Sequence, residues 1–335
     1  MKLCVLGAGA IGGYIAARLT LSGAQVCAIA RGAHLHAIKR HGVVLRSEGQ
    51  ELTARVAASD SPDDFGIQDV VICALKAHQS FQSAELFAPL LGEHTAVVTA
   101  MNGVPWWYFY KSGLPYDGRH LDSVDPGGRQ WSLIGPERAI GCVVEPACEV
   151  VAPGVIEHHG FSRFILGEPA GSQSDRLTKL IRVLTHAGLE ISYRDNIRWN
   201  IWLKLLGNVC LNPLSLLTCA TVDRLVAQGS SLRSVCELMM CEAWEVAKAL
   251  RIEIPEDMLK RRLDAVSAIS GHKMSMLQDL EHGRELEIDA IVTAVQELGR
   301  LAGKETPTID WVSALAQERG YQAGLYRSLT PCTTS

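Results

Sequence analysis

The sequence predicts an α/β domain built on a parallel sheet, followed by an all-helical domain. Three observations predict it. At the amino terminus a strand-length apolar run passes through closely spaced glycines into a helix-like run, strand-like and helical runs alternate as far as about residue 195, and helix follows helix beyond it. The change of character near Asp195 sets domains over residues 1–195 and 196–330. At 335 residues the chain has the length of two domains and can bury a sizeable core.

Residues 2–6 (Lys-Leu-Cys-Val-Leu) form the first strand, residues 7–12 (Gly-Ala-Gly-Ala-Ile-Gly) the turn, and residues 14–19 the start of a helix. This is the strand, glycine turn and helix of a Rossmann-type dinucleotide-binding fold. Gly7 makes the tight turn, Gly9 lets backbone approach a pyrophosphate, and Gly12 lets the helix pack closely on the strand. The helix amino terminus at Ala10 and Ile11 adds unpaired N–H groups and the positive end of a dipole.

The second strand, residues 25–30, ends in Arg31 rather than in the Asp or Glu that would bind a ribose 2′-hydroxyl. A guanidinium pairs well with a 2′-phosphate, so NADP(H) is the expected cofactor; the alternative is a solvated surface arginine. Strands over residues 69–75 and 95–100 lead into Lys76 and Asn102. Ligands of open α/β sheets bind beyond the carboxyl ends of the strands, so Gly7, Arg31, Lys76 and Asn102 are expected on one rim. Lys76 would reach phosphates and Asn102 the ribose or nicotinamide end, unless they are plain loop residues. Further strands are expected over 154–160, 164–168 and 189–193, with a helix over 174–187.

Residues 105–131 break the alternation. Trp106, Trp107, Tyr108, Phe109 and Tyr110 open a long stretch with little periodicity. Two readings stand: a loop shaping the substrate side of the site, or an aromatic plug against the second domain or an oligomer partner.

In the second domain, Asn200, Lys204, Asn208 and Asn212 stand four apart in an apolar run. On a helix they form one polar stripe. Burying an ammonium costs several kcal/mol, in order of magnitude, unless it is paired or has a task, so Lys204 marks the expected chemistry. Ser275 and Asp279 share a helix face if their segment is helical, and Glu287 and Asp289 open the next helix, where carboxylates suit the dipole. Helical spacing recurs over 232–250 and 288–302.

Composition narrows the class. The net charge is −4 with both signs interspersed, which gives no nucleic-acid surface. Ten cysteines without a Cys-x-x-Cys pair read as buried, reduced thiols of a cytoplasmic protein. No signal peptide and no apolar run of membrane-spanning length are expected. The apolar helices of the second domain can supply a homodimer face. No metal is called for: His-Glu-x-x-His is absent, and His34, His36, His158 and His159 read as loop or strand residues.

Taken together, Gly7-Ala8-Gly9-Ala10-Ile11-Gly12, Arg31, Leu75-Lys76-Ala77, Asn102-Gly103, Lys204-Leu205 with Asn208 and Asn212-Pro213, and Ser275-Met276-Leu277-Gln278-Asp279 with Glu287-Ile288-Asp289 resemble the ketopantoate reductase (2-dehydropantoate 2-reductase) family over nearly the whole chain. The resemblance implies NADPH-dependent reduction of a small 2-keto acid, ketopantoate, to pantoate. It implies that Lys204 is the general acid, that Asn208, Asn212 and Ser275 hold the substrate, and that Glu287 meets substrate or cofactor hydroxyls. The aromatic run after Asn102-Gly103 departs from the family's shorter connection and leaves a bulkier 2-keto acid as an alternative substrate. A non-catalytic NADP(H) sensor is the remote alternative, and an embedded lysine counts against it.

Overall fold

The computed structural model describes residues 1–329, so residue 330, the expected end of the second domain, lies outside the described residues. The chain divides into two compact units, one of Met1–His120 and Gly128–Ile197, the other of Leu121–Gly127 and the residues from Arg198 onward. The strands are β1 (Leu3–Leu6), β2 (Val26–Ile29), β3 (Val43–Ser47), β4 (Gln50–Ala54), β5 (Ala57–Ser59), β6 (Val70–Cys73), β7 (Ala96–Ala100), β8 (Ala139–Val144), β9 (Ala147–Ala152), β10 (Val155–Gly160), β11 (Arg163–Gly167) and β12 (Glu190–Tyr193). The helices of the first unit are α1 (Ala10–Leu21), α2 (Gly32–His41), α3 (Ala77–Gln82), α4 (Arg129–Ile134) and α5 (Asp175–His186). Those of the second begin with α6 (Ile197–Thr218) and continue through α7 (Val222–Leu225), α8 (Ser231–Ala249), α9 (Asp257–Ser267), α10 (Ser275–Glu281), α11 (Ala294–Ala302) and α12 (Pro307–Gln322).

The main sheet of the first unit has the order β12-β11-β8-β7-β6-β1-β2-β5. Its central pairs are parallel and only β11 runs against β8. Strand order reverses between β1 and β6, the crevice where a doubly wound sheet takes its ligand. β1, β6 and β7 are buried throughout, which accounts for their continuous rather than alternating apolar composition. A second sheet, β4-β3-β10-β9, joins two hairpins by a parallel β3–β10 pairing. The β3–β4 hairpin was not foreseen; Glu48-Gly49 with positive φ at both residues is the turn that makes it.

α1 packs between the sheets. A Cβ on Gly12 would lie 1.9 Å from the Gly7 carbonyl oxygen, and one on Gly13 would lie 2.9 Å from the Ile156 side chain of β10. Neither position admits a side chain. Tyr14 stacks on His158 of β10 at 4.7 Å and 21°, and the imidazole is held by the Ser47 hydroxyl and the Phe161 carbonyl. Six of the nine described cysteines are buried, as their strand and helix positions suggest, while Cys219 and Cys241 are exposed.

In the second unit α6 is 22 residues long, apolar and long enough to cross a membrane by length and composition, but it is mostly buried inside the protein as a core helix would be. Pro213 in its last part removes one N–H from the helical ladder. Leu121–Gly127 belongs with this unit, where the Glu297 carboxylate of α11 accepts the backbone N–H groups of Asp122 and Ser123 at 3.0 and 2.9 Å.

The aromatic run corrects one of the two readings given for it. Trp106, Trp107, Tyr108 and Phe109 are buried, and Trp107 donates its indole N–H to Thr99 Oγ1 on β7 at 3.0 Å. These four rings fill the interior, while Tyr110 is half-buried. Apolar area of this size has to be withdrawn from water somewhere, and the sheet's own flank takes it. Trp107→Ala is therefore expected to lower the unfolding free energy by about 3–5 kcal/mol in denaturant titration. A raised KM at unchanged stability would return the loop to the substrate site.

Candidate active site

In the first unit, four of the predicted residues follow neighbouring parallel strands: Asn102 after β7, Lys76 after β6, Gly7 after β1 and Arg31 after β2. They stand along one carboxyl-end rim. Gly7 adopts φ +95°, where a Cβ would also strike the Leu75 side chain at 2.6 Å, and its N–H and that of Ala8 both bond the Ile29 carbonyl at the end of β2. Gly9 caps α1 without a side-chain partner, and nothing lies within 4 Å of the place its Cβ would take. No acidic residue occupies the first turn, so the N–H groups at Ala10 and Ile11 open an electropositive helix end. Gly7, Gly9 and Arg31 line one cleft of about 140 Å³ with Ala30, Asp60 and Ser83 among its other walls.

Arg31 is exposed at the N-cap of α2, and its guanidinium has no ion-pair partner among the described residues. Lys76 is half-buried at the N-cap of α3, its backbone N–H donating to Gln79 Oε1 at 3.4 Å, and Asn102 is half-buried after β7. Neither Lys76 nor Asn102 lines that cleft. These features fit a dinucleotide: an open glycine turn at a helix amino terminus, with an arginine where the second strand ends.

His34 lies in the first turn of α2 and also lines the cleft, so it is a helical residue and not the loop or strand residue expected; His36 shares that helix, while His158 and His159 are in β10. Three positions beyond Arg31, His34 shares its side of the helix, a spacing visible in the sequence. Its Nε2 lies 2.6 Å from the Ala8 carbonyl, and Gly154 N–H donates to its Nδ1 at 2.9 Å. That pairing fixes a neutral imidazole with the proton on Nε2. Asp60 was missed because it follows β5, a three-residue strand without a clear pattern.

In the second unit α6 carries Asn200, Lys204, Asn208 and Asn212 on one stripe. The three asparagines are buried and Lys204 is half-buried. Asn212 is 1% exposed; its Oδ1 accepts Ser275 Oγ at 3.2 Å and the Met276 N–H at 3.1 Å, so an amide on α6 caps the start of α10. Its Nδ2 is buried with no partner among the described residues. The structure thus brings Asn212 and Ser275 together. Asp279, on the same helix face as Ser275, is bound to Arg284 at 3.0 Å. Glu287 is 8% exposed and immediately precedes the helix that opens at Ile288 with a π-helical turn, Asp289–Thr293.

A glycine turn on a switch-point sheet in one unit and a helix with an embedded ammonium in the other are the equipment of a dinucleotide-dependent reductase. Comparison with known proteins matches residues 3–106 to the family model "Ketopantoate reductase PanE/ApbA" and residues 196–320 to its C-terminal model. The chain is 49% identical over 327 residues to the 2-dehydropantoate 2-reductase of Mesorhizobium japonicum, which covers 97% of this chain and 100% of that one. Its fold is similar to a crystal structure assigned as a ketopantoate reductase from Ralstonia solanacearum MolK2 (TM-score 0.92, 40% identity, 97% and 99% of the two chains covered). A 2-dehydropantoate 2-reductase from Geobacter metallireducens GS-15 aligns with TM-score 0.83 at 27% identity over 95% and 99%. The chain belongs to the ketopantoate reductase family, nicotinamide dinucleotide-dependent oxidoreductases that act on a CH–OH group of a small molecule.

Burial pushes the His34 pKa below its usual value near 6.5, against the opposing pull of the Ala8 carbonyl. A group whose folded pKa is depressed binds more protons when unfolded, so the stability it contributes is present above about 6.5 and is lost as pH falls through the folded value. The thermal midpoint of the wild type should therefore exceed that of His34→Gln most above pH 6.5, and the gap should narrow toward pH 5. A gap independent of pH would mean that His34 has the same pKa folded and unfolded, and a gap that widened toward pH 5 would mean that folding raises its pKa.

Proposed function

We propose that this protein reduces 2-dehydropantoate to pantoate with NADPH, with Lys204 as general acid. The observation that supports it best is the Asn212 amide: its oxygen is fixed by Ser275 and Met276, and its buried Nδ2 has no partner among the described residues, on a stripe that also holds Lys204 and Asn208. An unpaired buried donor costs about 1–3 kcal/mol, so a fold that keeps one offers it to a ligand. A keto acid has the acceptors to take it.

The glycine turn and the α1 amino terminus would hold the cofactor's pyrophosphate, Arg31 its 2′-phosphate, and Lys76 and Asn102 the phosphates and the ribose or nicotinamide end. When bound, the cofactor supplies the hydride for the keto carbon. Asn208, Asn212 and Ser275 orient the acid by hydrogen bonds without neutralising the lysine. The Lys204 ammonium stabilises negative charge growing on the keto oxygen and gives that oxygen a proton, leaving an alcohol and a neutral amine that is reprotonated from water. Glu287 accepts hydroxyl hydrogens of substrate or cofactor. The buried aromatic run removes the argument for a bulky substrate that rested on it.

Initial rates of NADPH oxidation with ketopantoate and a panel of bulkier 2-keto acids test the substrate. Ketopantoate is expected to give kcat/KM above about 10⁴ M⁻¹s⁻¹; a better bulky acid would move the specificity, and no turnover across the panel would favour a sensor. Lys204→Ala is expected to lower kcat by at least about 100-fold while NADPH still binds in fluorescence titration. Near-normal turnover in that variant would remove Lys204 from the chemistry. Arg31→Ala should weaken NADPH far more than NADH, and an equal effect on both would take Arg31 off the 2′-phosphate.

A further inference from the structure

Glu287 lies on a short segment between α10 and the helix that begins at Ile288, and the residues on either side of it are tied to the chain beyond α12. On one side the Leu286 N–H donates to the Leu325 carbonyl at 2.9 Å. On the other, Asp289 Oδ1 accepts the Tyr326 hydroxyl at 2.7 Å and Thr293 Oγ1 at 2.9 Å, and the Leu329 N–H also bonds this carboxylate. The segment holding Leu325 and Tyr326 is itself anchored: Gly324 turns the chain at φ +67°, and the Leu325 N–H bonds the Gly320 carbonyl of α12 at 2.9 Å.

Close packing accompanies these bonds. A Cβ on Gly320 would lie 2.5 Å from Tyr326 Cβ and 3.2 Å from Leu286 Cδ1, so α12 yields space at the one position where the returning chain and the Glu287 segment meet it. The Tyr326 ring rests edge-on against Tyr321 at 4.9 Å. The wide π turn, Asp289–Thr293, still brings the Thr293 hydroxyl onto Asp289, and Gln317 of α12 donates to that hydroxyl at 3.3 Å. Burial pushes the Tyr326 hydroxyl well above its usual range, and the adjacent Asp289 carboxylate pushes it further, so the phenol keeps its proton and acts as donor.

We propose that Tyr326 is a positioning residue for Glu287: the chain returning from α12 grips Leu286 and Asp289 and so fixes the carboxylate held between them. The inference rests on the reading of Glu287 as a residue that meets substrate or cofactor hydroxyls. A carboxylate of that role has to be held within a fraction of an ångström, and the residues on both sides of it are what the returning chain fixes.

Tyr326→Phe keeps the ring and removes only the hydroxyl. The experiment compares kcat/KM for ketopantoate, the NADPH dissociation constant and the thermal midpoint in wild type, Tyr326→Phe, Glu287→Gln and the double variant. Tyr326→Phe is expected to lower kcat/KM about tenfold with NADPH affinity unchanged, since misplacement by less than an ångström is enough for such a loss. In the Glu287→Gln background the same change should cost less than about twofold, because groups that act through one another are not additive. Wild-type kinetics in Tyr326→Phe, or the same fold-loss in both backgrounds, overturns the inference while leaving the role of Glu287 intact. Wild-type kinetics in Glu287→Gln sinks the underlying reading and this inference with it. If Tyr326→Phe does not fold, Asp289→Asn, which keeps the shape of the residue that the Tyr326 hydroxyl grips and alters only its charge, takes its place in the same comparison.

Discussion

Most of the first unit depends on one close approach. Gly12 passes so near the Gly7 carbonyl that a methyl group there would overlap it, and one on Gly13 would press on the Ile156 side chain at 2.9 Å. A helix approached so closely at two successive positions carries glycine at both, and α1 has Gly-Gly there between Ile11 and Tyr14. The same approach sets the turn, because Gly7 and Ala8 are tied by their N–H groups to the end of β2, which delivers Arg31. Packing and cofactor geometry are therefore one constraint: loosening α1 from either sheet moves the amino terminus that would receive a pyrophosphate. His34 adds a tie of another kind, bridging the Ala8 carbonyl of the turn to the Gly154 N–H between β9 and β10.

In the second unit the organising fact is a mainly apolar helix that carries a stripe of three asparagines and a lysine. Generic burial would favour apolar residues at Asn200, Asn208 and Asn212, since an amide gains nothing over a leucine inside a core unless its hydrogen bonds are met. Asn212 meets two of them by capping α10 from outside, a task normally given to a residue of the capped helix itself. One side chain thereby registers α10 on α6 and points its other end elsewhere. The segment that begins at Ser275 is thus placed by the same residue proposed to bind substrate.

What the sequence disclosed follows from how local the physics was. The β1 turn, the strands ending at Arg31, Lys76 and Asn102, and the polar stripe on α6 are written in runs of five to thirteen residues, where pattern and structure coincide. The four-stranded second sheet was not legible, because β3 pairs with β10 across more than a hundred residues and nothing near β3 announces its partner. β5 and with it Asp60 were lost for brevity. The aromatic run was legible as apolar mass but not as interior: hydrophobicity says that Trp106 to Phe109 must be covered, and only the fold says by what. The grip of Tyr326 on Asp289 was beyond reach for the same reason, since 37 residues separate two side chains whose spacing carries no period.

Two buried polar groups in the second unit show how function can be told from architecture. Asp289 is withdrawn from water, which raises its pKa, and three donors then gather round it: a phenol, a hydroxyl and a backbone N–H. A carboxylate so supplied has most of its acceptor sites engaged by the fold. Asn212 is buried more deeply still, yet only its oxygen is supplied. The cost of an unmet donor is of the same order as the whole contribution of a good hydrogen bond, so a core arranged for stability alone would have closed it with a carbonyl or replaced the residue by leucine. Satisfied polar burial near Glu287 and unsatisfied polar burial on α6 therefore have different meanings: the first makes a segment rigid, and the second is the feature on which the proposed substrate contact rests.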